Sequence, residues 1–555
     1  MYLEARARAA LTGALSALRV SCPEQVPIER PPRPEFGDLT TRISYLLAKP
    51  MGKSPEEIAR TLAAKLTEHP DFEQVRAERG FVNLRFRPEV VWEILRTILK
   101  QGDAYGRQDL GRGEKLQVEF VSSNPTGPLT VGHGRQAALG DVLAELFSQL
   151  GWEVTREYYL NDEGRQIDLL AQSLWARYRQ ALEENQPLPE GGYQGDYLIP
   201  IGEELARSWG DRYPEWDEEA QEVFRKQAVD RMMRMIKEDL EAIGVQFNVW
   251  TREGDLHRRG LVQETLEELR RRGAVYEKDG ALWMRSTQYG LARDPVLVRS
   301  DGTPTYLMVD IAYHVDKYRR GFARVVDVQG ADHAEEQKQV KLALRILGLP
   351  EEFLDYCVHQ FVTLKGEEGV EKMSTRAGHF IRLSDLIREL GRDVVRYFMV
   401  MRRPESHLAF DYELAKKTSM DNPVYYVQYA HTRIASIFRE AEKTGELPPA
   451  FSCLNHHPSP ITELDLSPLT DPAELALIKE LDRFPDVLAQ AAGFAPHLLC
   501  EYLEGVAALF HPYYGRVRVL GQGSATPARL ALLAGIRLVL RRGLSILGVS
   551  APEEM

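Results

Sequence analysis

A chain of 555 residues has room for roughly three to four domains. Its 44% hydrophobic and 27% charged content is that of an ordinary folded domain protein, not a fibrous or disordered one. No apolar run approaches the length of about 18 residues that a membrane helix needs, and no basic-then-apolar leader opens the chain, so a cytoplasmic location is expected. The net charge of −12 excludes a uniformly basic nucleic-acid binder, so any such contact would have to come from a local basic face.

Taken in chain order, residues 1–110 read as an α+β unit. Helical spacing of apolar residues predicts amphipathic helices over 2–18 and 55–66, residues 80–86 alternate as a strand, and Pro31-Pro32-Arg33-Pro34 begins a rigid turn. Residues 102–115, polar and Gly-rich, predict a linker. Between 116 and 385, strands are expected near 117–121, 153–159, 324–328 and 358–364, with a Glu/Arg-rich helical insertion over about 160–250 that prolines break between 187 and 200. From 386 to 555 the pattern is helical, apart from a Pro/Ser/His linker over 448–472 that contains His456 and His457, both expected at the surface. No internal repeat is evident, which argues against a solenoid.

The stretch from Val118 to Arg135 is an apolar strand that passes through a Pro/Gly turn straight into a helix. Glu119, Ser122 and Asn124 fall at the strand's C-terminal end, where open α/β sheets hold ligands, and Gly132-His133 opens a helix whose free N–H groups favour phosphate. Gly132 allows close backbone approach, and His133 can hydrogen-bond phosphate oxygens in a transition state. Far downstream, Lys372-Met373-Ser374-Thr375-Arg376 is a Gly-bounded loop with two cations and a hydroxyl, suited to a departing pyrophosphate.

In this order the two segments resemble the HIGH and KMSKS motifs of class I aminoacyl-tRNA synthetases, as Thr130-Val131-Gly132-His133 and Lys372-Met373-Ser374-Thr375-Arg376. Thr130 stands where that family commonly has a first His, and the loop's last Lys is missing. Two readings stand for Lys365, seven residues upstream of Lys372: supplier of the absent cation, or a solvated surface lysine.

A guanidinium substrate requires carboxylates, preferably bidentate. Tyr306 and Asp310, four residues apart, share a helical face and with Glu119 would form an acidic, aromatic-walled pocket; Tyr306 as core and Asp310 as a cap is the structural alternative. These positions, together with Tyr158-Tyr159-Leu160-Asn161-Asp162 and Gly330-Ala331-Asp332-His333, are similar to arginyl-tRNA synthetases of bacterial type. The resemblance implies an arginine site of Glu119, Ser122, Asn124, Tyr306, Asp310 and His333, where some members have Gln at the last position. It also implies an ATP and pyrophosphate site of Thr130, Gly132, His133, Lys372, Met373, Ser374 and Arg376.

The implied architecture is multidomain. A Rossmann-like α/β parallel-sheet catalytic domain with a helical insertion spans 116–385, between an α+β N-terminal domain over 1–110 that grips the tRNA elbow and an all-α anticodon-binding domain over 386–555. Asn83 is a candidate tRNA contact or a turn-stabilising Asn. Tyr425, Tyr429 and Arg433 share one helical face that either packs in the core or stacks unpaired bases. Between 511 and 549 six arginines, Arg537 and Arg541 among them, occur with no Asp or Glu, which predicts a local basic face.

The four cysteines, Cys22, Cys357, Cys453 and Cys500, form no CxxC pair. They therefore argue against a zinc ribbon and against a disulfide framework. No protein metal site is expected, only the Mg²⁺ that accompanies ATP. The implied reaction is ligation of L-arginine to its tRNA through arginyl-adenylate, by a monomer without an editing domain; a non-catalytic tRNA-binding paralogue is the alternative.

Overall fold

The computed structural model describes residues 1–23, 26–162, 164–366, 369–370, 381–452 and 464–555. The N-terminal part is α+β. Four antiparallel strands lie in the order Ile28–Glu29, Leu39–Thr41, Phe81–Phe86, Phe72–Glu78. The helix Pro55–Leu66 starts at Ser54, whose side chain accepts from Glu57 N–H while the Glu57 carboxylate returns to Ser54 N–H, and it buries Ile58, Leu62 and Leu66. The helix Pro88–Gln101 then leads out to the C-terminal bundle, where Trp92 Nε1 donates to Leu469 O at 3.0 Å.

The central sheet has five parallel strands in the order Leu354–His359, Arg324–Gly330, Lys115–Glu119, Glu153–Leu160, Val249–Arg252. The chain starts in the middle strand, fills one side, and then crosses to the other. The switch point therefore lies between Lys115–Glu119 and Arg324–Gly330, where the connections diverge and leave a crevice at the strands' C-terminal ends. Leu116, Val118 and Phe120 are buried in the sheet's core. The helix Val131–Gln149 packs tightly on this sheet: a Cβ at Gly140 would lie 2.1 Å from the Phe120 ring.

The insertion comprises the helices Arg165–Ala181, Leu198–Trp209 and Glu218–Ala242, which share their own core of Leu174, Trp175, Tyr178, Phe224 and Met232. It does not end the sheet, because Val249–Arg252 rejoins it beyond the insertion.

Two expectations need correction. The run over 358–364 is two strands, Leu354–His359 and Val362–Gly366, separated where Gln360 turns its carbonyl to Arg135 Nη1 at 2.7 Å. The region after 386 is not wholly helical, since Leu408–Asp411 pairs in parallel with Val362–Gly366. An unforeseen antiparallel sheet, Val275–Lys278, Ala281–Met284 and Val296–Val298, sits before the helix Tyr306–Arg319. The C-terminal helices Pro423–Thr444, Pro472–Leu481, Phe484–Ala492, His497–Arg516 and Ala525–Ile546 form a bundle.

Candidate active site

The middle strand ends at Glu119, and the next turn is strained. Val121 (φ 66°) and Ser122 (φ 39°) both adopt left-handed backbone, which for a β-branched residue is rare and costs on the order of 1–3 kcal/mol per residue. The turn directs Ser122 Oγ to donate to Glu119 Oε1 at 3.0 Å, while accepting from Tyr159 N–H at 3.1 Å.

Beside this turn lies a cavity of about 410 Å³. All six residues expected to form the arginine site line it: Glu119, Ser122, Asn124, Tyr306, Asp310 and His333. Tyr306, 62% exposed, walls the mouth, and Asn124 Nδ2 donates to Gln166 Oε1 at 2.8 Å. Sequence reasoning did not single out three further acidic lining groups, Asp327, Glu253 and Glu336; Tyr159, which also lines the cavity, donates to Glu253 at 2.9 Å.

The floor is a buried ion network. Lys317, fully buried on the Tyr306–Arg319 helix, reaches Glu119 Oε2 at 2.5 Å and Asp327 Oδ1 at 3.2 Å. His314 lies 3.0 Å from Asp327 Oδ2 and 3.2 Å from Asp310 Oδ1. Burial and the Lys317 ammonium push the His314 imidazole down, but Asp310 and Asp327 outweigh them and raise it to about 9. For Glu119, burial pushes the carboxyl up to about 7, with Lys317 opposing and Asp327 adding to the rise. His314 and Lys317 continue the stripe of Tyr306 and Asp310 at helical spacing, a signal the sequence did contain.

The helix Val131–Gln149 adjoins this cavity through Gln136. Thr130 caps Val131–Gln149, and its N–H donates to His133 Nδ1 at 3.1 Å, with the Thr130 hydroxyl 3.2 Å from the same nitrogen. Because Nδ1 accepts, the neutral ring carries its proton on Nε2 and offers a donor. Burial and the nearby His359 hold the His133 imidazole down at about 4, so it is uncharged at neutral pH. A Cβ at Gly132 would meet only Thr130 Oγ1, at 3.6 Å, so the backbone there is open to approach.

Lys372, Met373, Ser374 and Arg376 lie outside the described residues. The chain that follows them returns to the helix N-terminus: Arg382 bridges Thr130, and Leu383 N–H donates to Leu129 O at 2.8 Å. Lys365 is 63% exposed and lies 3.4 Å from Asp411.

The expected tRNA contacts are spread over the molecule. Tyr425 and Tyr429 stack with centroids 5.8 Å apart, and the Arg433 guanidinium lies 4.7 Å above the Tyr429 ring. Arg537 pairs with Glu553 at 2.5 Å, and Arg541 with Asp103. Arg516 and Arg529 likewise meet Asp471 and Glu474, so acids from outside the 511–549 segment neutralise much of its charge. Asn83 is buried within the N-terminal sheet and accepts from Thr40 Oγ1 at 2.7 Å.

Residues 94–409 match the family of tRNA synthetases class I (R), catalytic domain; residues 427–555 match the DALR anticodon binding domain, and residues 5–86 the arginyl tRNA synthetase N terminal domain. The chain is 46% identical to an arginine–tRNA ligase of Thermotoga petrophila, over 95% of each chain. It is 44% identical to one of Desulforudis audaxviator, over 95% of this chain and 93% of that one. A Campylobacter jejuni crystal structure described as an arginyl-tRNA synthetase superposes with a TM-score of 0.75 at 32% identity, covering 84% of this chain and 99% of that one. With an acidic cavity at the sheet's switch point and a capped helix N-terminus beside it, the chain belongs to the arginyl-tRNA synthetase family of class I aminoacyl-tRNA synthetases.

Proposed function

We infer that this chain is an arginine–tRNA ligase, which activates L-arginine with ATP to arginyl-adenylate and pyrophosphate and then transfers arginine to the 3′-terminal adenosine of its tRNA. The observation that carries this reading is the acidic cavity lined by Glu119, Asp310 and Tyr306, which Gln136 of the helix opened by Thr130, Gly132 and His133 also lines. Glu119 and Asp310 take the guanidinium against the Tyr306 ring. Ser122 holds the Glu119 carboxylate in place, and Asn124 and His333 are left for the amino and carboxylate groups. The carboxylate then attacks the α-phosphorus of ATP while the helix terminus and the neutral His133 Nε2–H stabilise the phosphate charge. No enzyme nucleophile is required, because positioning and charge neutralisation lower the barrier.

We assign the pyrophosphate contacts to Lys372, Met373, Ser374 and Arg376, with Lys365 as the supplementary cation. We also assign a Mg²⁺ that arrives with ATP, bound by the phosphates and water. That ion would neutralise phosphate charge. For tRNA we assign Tyr425, Tyr429, Arg433, Arg537 and Arg541 to the anticodon side, with domains at 1–110, 116–385 and 386–555; Asn83, buried against Thr40 in the N-terminal sheet, serves that sheet and is not assigned to tRNA. We place the enzyme in the cytoplasm, as a monomer, where its tRNA and ATP are found. Charging of total tRNA with each labelled amino acid tests the reading: arginine alone should become acid-precipitable. Tight tRNA binding with no charging would favour the non-catalytic paralogue.

A further inference from the structure

Lys317 lies beneath the proposed arginine site and is not itself one of the residues lining the cavity, yet it is the only lysine among the described residues that is wholly buried. A buried ammonium is costly unless its charge and hydrogen bonds are matched. Here they are matched from two strands, by Glu119 Oε2 at 2.5 Å and Asp327 Oδ1 at 3.2 Å, and the ammonium also lies 4.3 Å from the Tyr313 ring centroid. Glu157 on the third strand is occupied by Arg320, at 2.7 Å, and by the Tyr313 hydroxyl, at 2.7 Å. Lys317 therefore takes up one specific oxygen of Glu119 from below. The other, Oε1, accepts from Ser122 Oγ at 3.0 Å.

Building on the arginine-site reading above, we propose that Lys317 is a specificity-determining positioning residue. By claiming Glu119 Oε2 and bracing Asp327, it leaves Glu119 a single acceptor for the substrate and gives the paired-acceptor role to Asp310. His314 completes the frame, because it ties Asp327 to Asp310, so both substrate-facing carboxylates are fixed through one buried chain of groups: Asp310, His314, Asp327, Lys317, Glu119. Without Lys317 the Glu119 carboxylate is free to rotate, and the guanidinium loses its set geometry.

The test uses the full-length chain with tRNA present and compares wild type, Lys317→Met, and the charge-balanced double variant Lys317→Met with Asp327→Asn in arginine-dependent pyrophosphate exchange. Both variants should raise the arginine KM at least tenfold and leave the ATP KM within about twofold. The double variant serves because the single one leaves two carboxylates unpaired and can fail to fold. A purely structural role would instead lower kcat for all substrates through a smaller active fraction. An arginine KM unchanged in the folded double variant overturns the proposal while the reading of the pocket stands. Wild-type enzyme that fails to exchange with arginine overturns the reading of the pocket, and the proposal with it.

Discussion

Replacing Asp310 with Asn tests the guanidinium contact at the cost of one charge and almost no volume. The Asp310 side chain is 27% exposed at the cavity edge, and its Oδ1 lies 3.2 Å from His314 Nδ1. An arginine guanidinium would add charge-assisted hydrogen bonds, each contributing about 1.5–3 kcal/mol where water is excluded. Asn keeps one carbonyl acceptor but loses the charge and the second oxygen, so the loss should equal about one such bond, which is roughly a 10- to 150-fold rise in arginine KM. Partial exposure favours the lower half of that range. The substitution also removes one of the two carboxylates that raise His314, so the imidazole falls toward its ordinary value. The assay is arginine KM in pyrophosphate exchange at saturating ATP and tRNA, with the ATP KM as control. A change in arginine KM below about tenfold, or 1.4 kcal/mol, would refute Asp310 as the principal guanidinium partner.

Gly132→Ala and Gly140→Ala should part company. The first finds open space and should melt no lower than wild type while raising the ATP KM, whereas the second drives a methyl into Phe120 and should lower the melting midpoint by several degrees; equal behaviour of the two would contradict the phosphate-approach role of Gly132. Arg396, fully buried, donates to Leu547 O, Ile243 O and Asp141 Oδ2 at 2.9, 3.0 and 2.6 Å, and so ties the bundle, the insertion and the Val131–Gln149 helix together. Arg396→Met should therefore cost about 3–5 kcal/mol, near the lower figure, because Arg156 also holds Asp141, at 3.0 Å; a loss of unfolding free energy below about 1 kcal/mol in urea titrations would refute the staple. For His133 the folded value near 4 lies below the unfolded 6.5, so the unfolded chain takes the proton first. Its contribution is full above pH 6.5 and lost as pH falls toward 4. The stability gap between wild type and His133→Asn should accordingly narrow from pH 7 to pH 5, and a gap that stays constant in urea titrations would contradict the assignment.

What could be read in the sequence follows from the range of the forces involved. The Tyr306–Asp310 pair was legible because both side chains sit on one helix, where spacing alone sets proximity, and the six expected arginine-site residues do line one cavity. Lys317 was not singled out. In sequence it is a basic residue in a helix's last turn, a common solvated position, and its burial depends on Glu119, 198 residues away. The basic face over 511–549 was overread for the same reason: the acids that neutralise it, Asp103, Asp471, Glu474 and Glu553, lie outside the segment. The antiparallel sheet was missed although Asp279-Gly280, with φ of 52° and 74°, forms a two-residue hairpin turn between Val275–Lys278 and Ala281–Met284. That signal was local and available. The break at Gln360 was not, because it is imposed by Arg135, 225 residues earlier in the chain.

The central claim is tested most directly by pyrophosphate exchange into ATP with each of the twenty amino acids, with and without total tRNA. Exchange with arginine alone is the result expected of a site that recognises the guanidinium through Glu119 and Asp310. Exchange with a different amino acid, or none under any condition despite tight tRNA binding, would contradict it.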